Sequence, residues 1–138
     1  MGEINWLAVV LGTVAFFALG ALWYGPLFSK AWMKEVGFTE EAKAEISAKG
    51  GGHMAKIMTA SFLLELLVAV VLGHMIVRSS GSPQAVMMFA AGLGAAVMAP
   101  AIGINYLYQN RSLKLFAIDA GYFVVGMAAM GGVFVLLG

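Results

Sequence analysis

Long runs of apolar residues alternate along the chain with shorter segments that carry almost all of its charged positions. Each run has at least about 20 residues, the length at which an α-helix crosses a hydrocarbon core of about 30 Å. None alternates with a period of two, and lipid cannot satisfy an open backbone, so the runs predict helices rather than barrel strands. The sequence therefore predicts an all-α, integral membrane bundle in a single domain, residues 1–138, with four transmembrane helices at 4–24, 57–77, 85–108 and 115–137.

The segment between the first two runs, residues 25–56, is long enough to contain structure of its own. Its apolar residues at 27–36 fall on one helical stripe beside two lysines, which is typical of a short amphipathic helix on a membrane surface. Thr39 followed by two glutamates is typical of a helix N-cap, so a second, solvated helix is expected to run to Lys49. The glycines at 50–52 then predict a hinge into the second transmembrane helix.

Two prolines are expected to disturb the transmembrane helices. Pro26 follows the first run directly and is expected to help end the first helix. Pro100 lies in the middle of the third run, where it removes a hydrogen-bond donor and frees the Ala96 carbonyl. The third helix is therefore expected to be kinked at this point.

Basic residues lie almost entirely on one side of this topology. Seven of the eight Lys and Arg residues fall in the segment 25–56 or in the connection between the last two helices, and only Arg78 falls on the other side. Lys and Arg are enriched in the cytoplasmic loops of membrane proteins. The two basic loops are therefore predicted to be cytoplasmic, with both chain termini outside.

Composition supports a lipid environment and excludes several classes of protein. The chain is 62% apolar and 11% charged, with a mean hydropathy of +0.92, whereas soluble domains are about 45–50% apolar and about 25% charged. A chain of this length cannot bury so much apolar surface in water, which excludes a soluble enzyme. A net charge of +1 offers no basic field for nucleic acid, and no cysteine is present for thiolate chemistry. The expected partner is the lipid bilayer, and no cofactor is predicted.

The beginning of the chain carries three motifs that belong together. They are Asn-Trp at 5–6, Gly-x-x-Trp-Tyr-x-Pro at 20–26 and Phe-x-Lys-x-Trp at 28–32. As a set they resemble the opening of a family of small bacterial four-helix membrane proteins, domain of unknown function family 1761. The resemblance implies an integral protein of the bacterial inner membrane and supplies no activity, cofactor or catalytic residue.

Glu65 is the most informative single residue, because it lies near the middle of the second predicted helix and thus near the membrane midplane. A charge at this depth costs at least about 2.5–3.5 kcal/mol. One interpretation is a relay for protons or cations. The other is a protonated or hydrogen-bonded side chain that joins helices or subunits, and both interpretations stay open.

Asp119 is the second acid within a predicted span and lies near the cytoplasmic end of the fourth helix. Several polar side chains are predicted at a similar depth and make up the candidate site with the two acids: Ser61, Glu65, Asn105, Asp119 and Tyr122. One hypothesis is a cavity that binds a proton, a cation or a small polar ligand. The alternative is that Asp119 pairs with Arg111 or Lys114 and only fixes the loop, since polar pairs commonly join membrane helices.

Aromatic side chains near the ends of the first helix are predicted to be interfacial anchors. His53 and His74 are predicted on opposite sides of the membrane, so no metal site is expected. The anchors are Trp6 at the outer interface, and Trp23, Tyr24 and Trp32 at the inner interface.

Small residues at four-residue spacing predict faces on which helices approach closely. Such faces occur on the first, third and fourth predicted helices, and the fourth has two distinct faces, one of which could contact a partner subunit. The residues predicted to pack are Gly12, Ala95, Ala99, Gly121 and Gly132.

Three functions are compatible with these patterns. The favoured one is a non-enzymatic structural or accessory membrane protein that forms homo-oligomers or docks on a larger membrane complex. The second is a small transporter or channel that uses Glu65 and Asp119 for proton or cation passage. The third is a membrane enzyme or a sensor of a lipid-soluble ligand at the polar cluster.

Overall fold

The computed structural model describes residues 3–138, which form six helices and no strand. Met1 and Gly2, which the predicted domain includes, lie outside the described residues. The all-α prediction is confirmed. The helices are α1 (Trp6–Leu27), α2 (Ser29–Val36), α3 (Glu40–Ala48), α4 (Gly51–Val77), α5 (Pro83–Tyr108) and α6 (Leu113–Leu137).

Four of these helices, α1, α4, α5 and α6, are long and apolar enough to cross a membrane. They contain 22 to 27 residues each, and a hydrocarbon core requires about 20. The protein is thus a multi-pass integral membrane protein. We call the end of the bundle that carries α2 and α3 the loop end. The opposite end, where the Asn5 side-chain amide donates to the Leu137 carbonyl oxygen (3.1 Å), is the terminal end.

The helix α4 begins earlier than the hydrophobic pattern predicted. Its first residue is Gly51 rather than Ile57, because the turn that precedes it is made at Gly50. Gly50 has a φ of 86°, in the left-handed region that favours glycine. Gly51 and Gly52 are already helical. The prediction of a hinge formed by all three glycines is therefore wrong, because Gly50 alone makes the turn.

The helix α1 does not end at Pro26 as predicted, but widens and continues to Leu27. Residues Trp23–Leu27 form a π turn, in which the Phe28 amide donates to the Trp23 carbonyl oxygen (2.9 Å). A π turn contains one more residue than an α turn. The missing amide hydrogen of Pro26 is thereby accommodated within a continuous helix.

The helix α5 has a second π turn, Leu93–Met98, directly before Pro100. In a regular α-helix the proline ring clashes with the carbonyl four residues earlier, which here is that of Ala96. Ala96 lies inside the widened turn. The disturbance that Pro100 was expected to cause therefore takes the form of a π turn, and α5 runs through it to Tyr108.

Packing places α6 at the centre of the bundle. It contacts α1 and α5, whereas α4 packs mainly against α1. The largest fully buried side chains come from α1, α4 and α6, and they are Val9, Thr13, Phe16, Leu72, Leu115, Met127 and Met130.

Glycines provide the closest approaches between the spans. A Cβ at Gly94 would lie 3.0 Å from the Val124 Cα, and a Cβ at Gly131 would lie 2.6 Å from the Ala90 Cβ. A Cβ at Gly126 would lie 3.0 Å from the Phe16 ring. These contacts bring α6 against both α1 and α5.

The small residues that the sequence did single out divide into two groups. Gly12 lies against Met130, and Gly121 lies against Trp23. Ala95 is exposed, and nothing lies within 4 Å of a Cβ placed at Gly132. Ala99 is half-buried. Within the chain, the closest contacts of these two helices are therefore made by other glycines, Gly94 and Gly131.

The two short helices lie between the first two spans, where they were predicted. At the start of α3 the Thr39 hydroxyl accepts from the Ala42 amide (3.1 Å), which confirms the N-cap. The chain leaves α2 through Gly37, which has a φ of 82°. Trp32 and Phe38 are both half-buried and contact each other, with ring centroids 6.3 Å apart.

Candidate functional site

The Asp119 carboxylate accepts hydrogen bonds from the tyrosines of two other spans. The Tyr24 hydroxyl of α1 donates to Asp119 Oδ1 (2.6 Å), and the Tyr106 hydroxyl of α5 donates to Asp119 Oδ2. Asp119 is only 8% exposed. One acid on the central helix thus joins three spans, and each of its oxygens has a donor.

The π turn of α1 carries two neighbouring aromatic residues that both bind α6. The Trp23 indole Nε1 donates to the Ile118 carbonyl oxygen (2.9 Å), next to the Tyr24 contact on Asp119. The prediction of interfacial anchors missed these hydrogen bonds. An aromatic belt explains why Trp and Tyr are frequent at this depth, but it does not indicate that their polar atoms bind another helix.

The second acid, Glu65, lies beside Tyr122 of α6. The Tyr122 hydroxyl oxygen is 2.9 Å from the Phe16 carbonyl oxygen and 2.9 Å from Glu65 Oε1. A Cβ at Gly20 would lie 2.7 Å from this hydroxyl, so the glycine allows it to reach the backbone of α1. Tyr122 therefore joins α6 to both α1 and α4.

The number of available hydrogens limits which groups donate in the Tyr122 cluster. A tyrosine hydroxyl has one hydrogen, and the Phe16 carbonyl can only accept. Both 2.9 Å contacts are satisfied together when Tyr122 donates to Phe16 and a protonated Glu65 donates to Tyr122. The other carboxyl oxygen, Glu65 Oε2, is buried and has no hydrogen-bond partner among residues 3–138.

The two acid clusters are neighbours. The rings of Tyr24 and Tyr122 meet edge to face, with centroids 5.4 Å apart. Ser61 and Tyr24 line two adjoining cavities. The first, the span cavity, has a volume of about 410 Å³ and is also lined by Glu65 and Tyr122. The second, the loop cavity, has a volume of about 710 Å³ and is also lined by Asp119.

Asn105 does not belong to this cluster, and Tyr106 takes the place that was predicted for it. Asn105 is exposed, whereas its neighbour Tyr106 reaches Asp119. The π turn Leu93–Met98 adds one residue to the helix before this point. One additional residue rotates the side chains that follow it by about 100° around the helix axis, which is the angle between consecutive residues of an α-helix.

The predicted alternative, an ion pair between Asp119 and Arg111, is not what the structure shows. The Arg111 guanidinium donates to Gln109 Oε1 (3.3 Å) and to the Val36 carbonyl oxygen (3.4 Å). The carboxylate oxygens of Asp119 accept from tyrosines instead. Arg111 thus links the last loop to the end of α2.

The remaining predicted residues do not take part in the hydrogen bonds that the structure shows at the two acids. Trp6 is 57% exposed and lies at the terminal end, whereas Trp32 lines the loop cavity. The His74 ring nitrogen Nδ1 is 2.8 Å from the Val70 carbonyl oxygen of its own helix. Within residues 3–138, no three His, Asp or Glu side chains lie together as a group that could bind a metal ion.

Comparison with known proteins gives one match. A model of the family described as "Protein of unknown function (DUF1761)" matches residues 7–135. This confirms the family that the opening motifs resemble and extends the likeness far beyond those motifs. No curated protein and no solved structure matches the chain.

Proposed function

The chain belongs to the family DUF1761, and we propose that this member is a non-enzymatic membrane protein, structural or accessory, that self-associates or docks on a larger membrane complex. The observation that supports this proposal is the use of its buried polar groups. Asp119 binds Tyr24 and Tyr106, and Tyr122 binds the Phe16 carbonyl and Glu65. These groups join spans to one another, as polar pairs do in membrane bundles.

Self-association is supported by small residues that the chain itself leaves uncovered. Ala95 on α5 is exposed, and Gly132 on α6 has open space around its Cα. Small side chains allow two membrane helices to approach closely, and helix association in lipid relies on this packing. We propose that these positions face a second copy or another membrane protein.

Native mass spectrometry of the protein released from membranes tests this proposal. We expect multiples of the 14.5 kDa chain or a co-purifying membrane protein. Gly132→Leu should shift the distribution toward the single chain, and Gly25→Leu is the control, because Gly25 also has nothing within 4 Å but lies at the loop end. A single chain without a partner in every lipid used would contradict the proposal.

A second candidate function, proton or cation passage, is favoured by one observation, the unpartnered Glu65 Oε2. In this function Glu65 and Asp119 line a path from the loop end. The terminal half contains buried apolar side chains, such as Leu72 and Met130, so the path would have to continue between subunits. Glu65→Gln should then abolish transport in proteoliposomes and leave assembly intact. Equal transport by both forms would exclude this function.

We propose further that the loop end faces the cytoplasm of a bacterial cell, with both termini outside. The supporting observation is the positive charge of the two loops at this end. The chain has no cysteine, so a single one placed at the exposed Ser47 can be labelled selectively. Ser47→Cys should be protected from an impermeant thiol reagent in intact cells and labelled after lysis. Labelling in intact cells would reverse the orientation.

A further inference from the structure

The loop cavity has the size and wall chemistry of a small-molecule site. Its volume of about 710 Å³ lies within the range of about 300–1,000 Å³ that is typical of such sites. Its walls come mainly from α2, α3 and α4, with Tyr24 of α1 and Asp119 of α6, and most of its lining is apolar. The apolar residues include Met33, Ile46, Met54 and Ile57. A ligand for this cavity must therefore be mainly apolar.

Aromatic rings form one wall of the loop cavity. The Trp32 ring lies between two others, with its centroid 6.0 Å from that of Tyr24 and 6.3 Å from that of Phe38. All three residues line the cavity. Aromatic faces attract an organic cation within about 6 Å of the ring centroid, and Trp attracts it most strongly.

A carboxylate lies on the same side of the cavity as these rings. Tyr24 contacts the Trp32 ring with its own ring and donates to Asp119 with its hydroxyl, so a single side chain separates Trp32 from Asp119. A carboxylate has about four acceptor positions, and the two tyrosines use one on each oxygen. Asp119 therefore keeps acceptor capacity, and it lines the cavity.

The charges around the cavity favour a cation over an anion. Asp119 is 8% exposed and is the one acid among the lining residues. Lys43, the one basic lining residue, is exposed, so its ammonium group is hydrated and screened. The buried part of the site therefore has negative charge and aromatic faces but no basic group.

We propose that the loop cavity binds a lipophilic organic cation, an ammonium or phosphonium centre with apolar substituents. The cationic centre lies beside Trp32 and Asp119, and the substituents occupy the apolar walls. The site lies within one chain, so it does not depend on self-association.

Two probes of the same shape and opposite charge test this site. The protein in phosphatidylcholine nanodiscs is dialysed against radiolabelled tetraphenylphosphonium, with empty nanodiscs as the blank. We expect saturable binding of one cation per chain, and no competition by tetraphenylborate. Binding no greater than in empty nanodiscs would overturn the proposal, because the cavity would then contain only lipid. Equal competition by the borate would also overturn it, because charge would play no part.

Variants then locate the cation. Trp32→Ala should weaken tetraphenylphosphonium binding about 10- to 30-fold, the equivalent of a desolvated cation–π contact of about 2 kcal/mol. Asp119→Asn should weaken it by about tenfold or more. Trp6→Ala is the matched control, because this tryptophan is exposed at the terminal end. The affinity of this variant for tetraphenylphosphonium should not change.

A second readout separates binding from folding. Trp32 is in a short loop helix rather than a span, so Trp32→Ala should keep the helical circular dichroism and the thermal midpoint of the parent chain. Phe38→Ala repeats the test outside any helix. Native affinity in the folded Trp32→Ala and Phe38→Ala variants would place the cation elsewhere and overturn the proposal.

Discussion

The spans are held together by different kinds of contact in the two halves of the bundle, the terminal half nearer the terminal end and the loop half nearer the loop end. In the terminal half, glycines bring the spans together: Gly12 lies against Met130, and Gly131 lies against Ala90. In the loop half, hydrogen bonds join the spans, as in the binding of Tyr24 to Asp119. The loop half contains the span cavity and the loop cavity beside the acids. A third cavity, of about 540 Å³, lies at the terminal end beside Asn5 and Leu137, away from both acids.

The difference shows how helix contacts determine the space between helices in lipid. Lipid tails are as apolar as leucine, so helices associate through close packing and hydrogen bonds rather than through the hydrophobic effect. Close packing at a glycine leaves no space between two helices. A tyrosine instead places its hydroxyl a full ring away from its backbone, so two helices joined by a tyrosine can stay apart. The span cavity and the loop cavity both lie beside tyrosines that make such contacts.

The largest predicted effect is in the terminal half. Gly131→Ala should lower the free energy of unfolding by about 1–3 kcal/mol, because the new Cβ would lie 2.6 Å from that of the buried Ala90. The control is Gly92→Ala on the facing helix α5, where nothing lies within 4 Å. Both variants gain the same helix propensity, so their difference isolates the contact. Unfolding in SDS followed by tryptophan fluorescence measures it. Equal stability of the two variants would contradict the glycine contact.

A smaller loss of stability is expected when Asp119, the acid of the loop half, is replaced. Asp119→Leu should lower the free energy of unfolding by about 1.5 kcal/mol, because the hydroxyls of Tyr24 and Tyr106 lose their acceptor. Asp119→Asn keeps one carbonyl acceptor and should lower the free energy of unfolding by less. The same SDS titration compares the three forms. A loss as large for Asn as for Leu would show that charge, rather than the hydrogen bonds, stabilises the loop half.

The smallest loss of stability is expected when a single tyrosine hydroxyl is removed. Tyr106→Phe removes one donor to Asp119 and should cost about 0.6 kcal/mol, the average for a hydrogen bond between membrane helices. Tyr108→Phe on the same helix is the control, because Tyr108 is 90% exposed. Circular dichroism during thermal unfolding in detergent compares the two. Identical midpoints would remove Tyr106 from the contacts that hold the loop half together.

The spans and the depth of their polar residues could be predicted from the sequence, but the direction of the side chains could not. Ser61, Glu65 and Tyr122 were placed at one depth and line one cavity. Asn105 was predicted at a similar depth but is exposed, because a π turn earlier in α5 rotates the residues that follow it. A π turn depends on the packing around it, so counting residues at a regular period does not reveal it.

The contacts of Trp23 and Tyr24 show the same limit. Their positions fit an aromatic belt, which is a property of the membrane interface alone. Their hydrogen bonds to Ile118 and Asp119 depend on the widened turn at Pro26, which lets the helix continue past the predicted end. The Gly-x-x-Trp-Tyr-x-Pro motif at 20–26 was a signal that this helix end is unusual, but the motif does not name the partner residues.

The sequence by itself determined the number of spans, the all-α class and the presence of two acids in an apolar setting. These properties follow from local composition, because lipid requires each span to be long, apolar and internally hydrogen-bonded. The tertiary structure decided that Asp119 is bound by two tyrosines, that Glu65 meets Tyr122, and that cavities lie beside both acids. These contacts join residues far apart in the chain, and their geometry depends on how the helices are rotated and spaced.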